Sequence, residues 1–155
     1  MRCCCYPAPP GDQTSAGLLA LRVVMGVAFV LHGWPKIQNP TAWMGTESGV
    51  PGVFQAAAAV AEFGGGVALA LGLLTRFAAL GIAAVMVGAL ALVHIPHGDP
   101  FVGKPGSPSS EPATVYLACA MLFLLAGPGR FSLDAALFGP PARPDSPQPI
   151  DNGSG

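Results

Sequence analysis

The chain has 155 residues, of which 52% are hydrophobic and only 10% charged, and its formal net charge is −1. An ordinary soluble domain carries about 25% charged residues, and the mean hydropathy here is +0.55. These values exclude a disordered chain and a basic nucleic-acid-binding footprint, and they point to one compact integral membrane domain.

Residues 1–15 read as a flexible leader. They hold Cys3, Cys4 and Cys5, several prolines, and no apolar run of the kind a signal peptide needs. The triplet forms no C-x-x-C, and no histidine follows at zinc-ligand spacing, so it reads as a reduced terminus. The first apolar segment, residues 16–37, is interrupted by Arg22 and His32 and is expected to remain as an anchor. The second, 53–74, carries Glu62 near its centre and Gln55 as its other strongly polar side chain. The third, 77–95, has His94 as its ionisable residue, and the fourth, 112–126, stops at Gly127-Pro128-Gly129. At 1.5 Å per residue the first three suit a hydrocarbon core of about 30 Å. The fourth covers only about 22 Å and reads as a thinly matched span.

Segments rich in Ala, Leu and Gly without alternation argue for helices and against barrel strands. The expected fold is therefore all-α: a four-helix transmembrane bundle over residues 16–138, followed by a disordered Pro-rich tail over 139–155. Thr75-Arg76 is the whole predicted connection between the second and third segments, which makes them an antiparallel hairpin. Trp43, in the loop 38–52, suits a membrane interface. Ser110-Glu111-Pro112 is a good start for the fourth helix. Ser132 is placed to cap a short amphipathic helix running to Phe138.

Four spans bring both termini to one side. That side carries Arg2, Arg76, Arg130 and Arg143, with Arg22 just within the membrane, against Lys36 and Lys104 opposite. The positive-inside rule then puts both termini in the cytoplasm. A cytoplasmic leader keeps Cys3–Cys5 in a reducing compartment.

A carboxylate such as Glu62 deep in a span costs roughly 2.5–3.5 kcal/mol on insertion scales, so it needs a partner. Gly65 and Gly66 share its face. They belong to a run of small residues (Ala57, Ala61, Gly65, Ala68, Gly72) matched by Gly81, Ala84 and Gly88 on the third segment. Such runs permit close helix contact and a homo-oligomer. On the first helix, Arg22, Gly26, Phe29, Gly33 and Lys36 form one stripe, with His32 beside it. Counting from the segment ends, Arg22 lies about 9 Å and Glu62 about 18 Å inside the inner boundary. An Arg22–Glu62 pair is thus expected, either functional or merely holding two helices together. His32 and His94 close outward-running helices, near Lys36, His97, Asp99 and Glu111. Such a vestibule is suited to proton exchange, to a quinone head group or to a metal.

The same residues carry a family resemblance. Leu21-Arg22, Leu31-His32-Gly33 and Lys36 look like the first helix of the DoxX family. Glu62 with Gly65-Gly66, the Gly72-Leu73-Leu74-Thr75-Arg76 turn, and Gly127-Pro128-Gly129-Arg130 with Ser132-Leu133-Asp134 continue the likeness. It covers residues 18–137. The resemblance implies a small four-helix bacterial inner-membrane protein. Relatives in that family include a subunit of thiosulfate:quinone oxidoreductase and a membrane component of a thiol-based oxidative-stress complex. The family's recurrent Arg, His, Glu and Arg fall on Arg22, His32, Glu62 and Arg76. The Cys3–Cys5 leader and the tail lie outside the match, and no cysteine pair accompanies the outer histidines.

The resulting expectation is a membrane subunit of a redox system. Glu62, His32 and Arg22 are its candidate proton- or redox-coupling cluster. His32, Lys36 and His94 are its candidate quinone or ligand vestibule. Without flavin, haem or iron–sulfur motifs, a partner redox protein must supply electrons. The alternatives are a membrane scaffold for partner proteins and a small-solute or proton-coupled transporter.

Overall fold

The computed structural model describes residues 11–138, and every regular element among them is helical. Helix α1 spans Asp12–Gln38, α2 Gly52–Leu71, α3 Thr75–His97, α4 Glu111–Ala126, and a short α5 Leu133–Phe138. The first three are long and apolar enough to cross a membrane, and α4 is a shorter apolar helix. The protein is a helical membrane bundle. The leader cysteines, Arg2, Arg143 and the predicted tail lie outside the described residues. Asp12–Ser15, assigned to the leader on sequence, are instead the first turn of α1.

Consecutive helices pack antiparallel, α1 on α2, α2 on α3 and α3 on α4. The α1–α2 contact is the tightest, and glycine makes it so. A Cβ on Gly33 would lie 2.5 Å from the Phe63 backbone nitrogen, and one on Gly26 would lie 2.7 Å from Gly66 O and Ala70 Cβ. Gly66 meets Val30 N at 2.7 Å in the same sense. The backbones therefore touch directly, the arrangement that small residues permit in lipid. Between α2 and α3 the approach is looser: Gly65 and Gly81 would make ordinary contacts with Ile82 and Ala61 at 3.5 Å. Ala84 is exposed and takes no part in that contact.

The shared core is small and mixed: Leu18, Met25, Phe29, Leu69, Ile82, Met86, Ala120 and Phe123 are its buried centre. Large apolar side chains such as Val24, Leu31, Phe77 and Leu125 are more than two-thirds exposed. In water such a surface would be a liability; in a bilayer it is the lipid-facing coat.

Two breaks in regularity shape the ends. Helix α2 stops at Gly72, which adopts φ 70°, with Leu73 N donating to Ala68 O at 2.9 Å. A left-handed glycine with this bond is the usual C-terminal cap. The connection to α3 is thus Gly72–Leu74, and Thr75-Arg76, expected as the turn, already belong to α3. Helix α3 widens into a π turn over Leu90–His94, where Ile95 N donates to Leu90 O. Pro96 has no N–H to give and its ring crowds the carbonyl of Leu92, so a wider turn relieves the clash.

Candidate functional site

The polar side chains of the bundle fall into two groups, one at each end. The base is the end where α1 begins and α5 lies. The mouth is the opposite end, where α1 finishes and α4 begins.

At the base, Arg22 is 1% exposed. Its Nη1 donates to Pro128 O at 2.6 Å and its Nη2 to Phe131 O at 2.5 Å. These carbonyls are free because Gly127-Pro128-Gly129, with Gly127 and Gly129 at positive φ, breaks the helical ladder after α4. Arg22 supplies the donors that the broken chain lacks. Gly72 allows this: a Cβ there would lie 2.7 Å from Arg22 Cζ. The rest of the segment is tied down by its own short-range signals. Ser132 Oγ accepts from Ala135 N at 3.1 Å, the cap anticipated for α5. Asp134 reaches back to the start of α3, where its two oxygens accept from Leu74 N at 2.7 Å and Thr75 N at 2.9 Å. The acid thereby caps a helix N-terminus, where negative charge is favoured. Arg130 N donates to Ser15 Oγ at 3.2 Å, and its guanidinium pairs with Asp12.

The expected Arg22–Glu62 pair does not form. Glu62, with its side chain 3% exposed, is held by Lys36, whose Nζ lies 2.6 Å from both carboxylate oxygens. The cause is axial register. The close contacts of Gly33 with Phe63 and of Gly26 with Ala70 set Glu62 level with the last turns of α1. Arg22 falls instead beside Gly72, ten residues along α2 and about 15 Å away at the helical rise. The expected stripe on α1 was the correct face; the partner is its other cation. Arg22 therefore does not set the state of Glu62.

Lys36 has a third neighbour. Its Nζ stands 4.4 Å from the centre of the Trp43 ring, a cation–π contact. Trp43 is positioned by Gln55, which is 3% exposed. The indole N–H donates to Gln55 O at 2.9 Å. The Gln55 side chain accepts from Met44 N at 3.0 Å and donates to Val50 O at 2.9 Å. The buried glutamine thus satisfies the loop's backbone and folds it over the ion pair.

Beside the ion pair lies a cleft of about 160 Å³ lined by Phe29, His32 and Lys36 of α1, Glu62 of α2, Met86 and Ala89 of α3, and Pro112, Ala113 and Tyr116 of α4. The helices α1 and α4 do not pack closely along their backbones. They meet through side chains, with Phe29 and Tyr116 edge to face at 4.9 Å and His32 6.2 Å from Tyr116. His32 is exposed in this seam, and no hydrogen bond joins it to another described residue.

His32, Lys36 and Glu62 are thus brought together, as a site reading of the sequence requires. His94 is not: its Nδ1 lies 2.8 Å from Asp99 Oδ2, outside the cleft. His97 Nδ1 lies 2.6 Å from Val93 O, so this histidine is spent on the helix end. Tyr116 was missed on sequence. The available signal was a phenol in an otherwise apolar helix, one turn after the Pro112 start, but nothing in the pattern said which helix it would face.

Comparisons with known proteins agree with this architecture. A family model described as DoxX matches residues 17–95, which hold Arg22, His32, Lys36, Glu62 and Arg76. The chain belongs to the DoxX family. It is 32% identical over 126 residues to a protein of Escherichia coli K12 named inner membrane protein YqjF, covering 78% of this chain and 92% of that one. It is also 32% identical over 122 residues to an uncharacterized protein of Haemophilus influenzae, covering 78% and 90% respectively. No solved structure matches the chain significantly. In this DoxX protein the family match ends before α4, which supplies Tyr116 to the cleft and the carbonyls to Arg22.

Proposed function

We propose that this DoxX protein is an integral subunit of a redox system in the bacterial inner membrane, and that its mouth cleft receives the ring of a quinone. The observation that carries this reading is the cleft itself. It is walled by Phe29, Tyr116 and Met86, edged by His32, and seated on the Lys36–Glu62 pair. Drug-sized ligands occupy pockets of about 300–1,000 Å³, so a cleft of about 160 Å³ suits a single ring. The loose seam between α1 and α4 leaves a way for an isoprenoid tail into lipid.

A bound quinone would supply a two-electron, two-proton acceptor, and the electrons come from a partner redox protein. The chain's own residues bind and orient. Phe29 and Tyr116 offer aromatic faces and edges to a flat ring. His32 has hydrogen-bonding capacity to spare, and an imidazole offers both a donor and an acceptor nitrogen. Glu62 has both oxygens committed to Lys36, so His32 is the proton-bearing group that the cleft presents.

The relative named an inner membrane protein supports the location. Arg22, Arg76 and Arg130 at the base, against Lys36 and Lys104 elsewhere, support cytoplasmic termini. The Arg22 lock ties the segment after α4 to the base. It would also give a scaffold a rigid foot, and the test separates the two roles. Quinone reduction is measured with the protein and its co-purified partner in native lipid. His32→Gln should slow it about tenfold or more, in line with lost acid–base assistance. A wild-type rate in His32→Gln, with the partner still bound, would remove His32 from the reaction and favour the scaffold.

A further inference from the structure

The cleft is lined by one cation and one anion, and they are bonded to each other. Lys36 Nζ contacts both oxygens of Glu62 at 2.6 Å, and its remaining side rests against Trp43. Apart from His32, the other lining side chains, including Phe29, Met86, Ala89 and Tyr116, carry no charge near neutral pH. An oxyanion entering this space would give up its hydration and meet a cation whose field the adjacent carboxylate cancels. A neutral flat ring has far less hydration to lose, and it meets aromatic walls and His32.

We infer that Glu62 is the specificity determinant of the cleft: by neutralising Lys36 it excludes small oxyanions and admits a neutral ring. This rests on the reading of the cleft as a ring site. It also assigns the intramembrane acid a use other than proton transfer. The lysine is needed because a lone buried carboxylate is too costly. The acid is needed because a lone, half-buried ammonium at the cleft wall would recruit any anion of suitable size. Removing only the acid's charge therefore converts the cleft into an anion site.

The test is calorimetric titration of the full chain in lipid nanodiscs with two probes, a short-chain ubiquinone analogue and inorganic sulfate. The wild type should bind the quinone analogue saturably and give no sulfate isotherm. Glu62→Gln should give a saturable sulfate isotherm where the wild type gives none, and the gain should vanish in Lys36→Met/Glu62→Gln. Ala89→Lys, which leaves the cleft with two ammonium groups against one carboxylate, should gain sulfate binding as well. It decides the matter if Glu62→Gln fails to fold. Unchanged sulfate binding in a folded Glu62→Gln overturns the inference. So does a gain that persists in the double variant, or, where Ala89→Lys must decide, continued exclusion there. If Glu62→Gln gains sulfate but the wild type never binds the quinone analogue, the ring-site reading falls and the charge-gating role of Glu62 stands. The reverse pattern removes the role of Glu62 alone.

Discussion

Replacing Arg22 by methionine tests the lock at the base most directly. The change keeps a long side chain and removes two donors, those to Pro128 O and Phe131 O. Hydrogen bonds to a charged group are worth about 1.5–3 kcal/mol each, so the gross loss is about 3–6 kcal/mol. Part is returned, because an apolar side chain need not be stripped of a charge's hydration on burial. A net loss of about 3 kcal/mol remains, since the carbonyls in the broken Gly127–Gly129 segment are left without donors. For a chain of this size that is a fall of roughly 6–12 °C in melting temperature, read by tryptophan fluorescence in nanodiscs. Arg22→Lys, whose ammonium lacks the two-pronged geometry, should lose about half as much. Hydrogen exchange should speed up over residues 127–134 and at the amides of Leu74 and Thr75, which Asp134 caps. A methionine variant that melts with the wild type would refute the lock. Destabilisation with unchanged exchange over 127–134 would show that Arg22 acts through some other contact.

Two further predictions concern packing and capping. Gly33→Ala puts a Cβ 2.5 Å from the Phe63 nitrogen and should cost about 1–3 kcal/mol by forcing α1 from α2. Gly64→Ala meets nothing within 4 Å and should stabilise α2 by about 0.5–1 kcal/mol; equal melting temperatures for the pair would contradict the close α1–α2 contact. Asp134→Ala removes the acceptor of two backbone amides at the start of α3 and should cost about 0.5–2 kcal/mol. Its loss should appear as faster exchange at Leu74 and Thr75, and protection equal to wild type would show that another group caps α3.

What the sequence by itself determined is the solvent and the helices. Long apolar runs with helix-period small residues leave no soluble alternative, and the shortness of the connection between the second and third runs left only a hairpin. The faces were legible too, because 100° per residue puts Gly26, Gly33 and Lys36 on one stripe with Arg22 and puts Gly66 beside Glu62. Ser132 could be read as a cap since capping is a matter of three neighbouring residues.

The tertiary structure alone decided which charges meet. Periodicity fixes an angle about each helix axis but says nothing of how far one helix slides along another. That offset is set where backbones touch, at Gly33 on Phe63 and Gly26 on Ala70. Arg22 and Lys36 lie fourteen residues apart on α1, so a slide of about four turns separates one partner of Glu62 from the other. It also separates a structural arginine at the base from an ion pair in an open cleft at the mouth. Tyr116 reached that cleft, and Trp43 reached Lys36, for the same reason. One comes from a helix distant in sequence and the other from a loop held by Gln55, and neither distance is written in a local pattern.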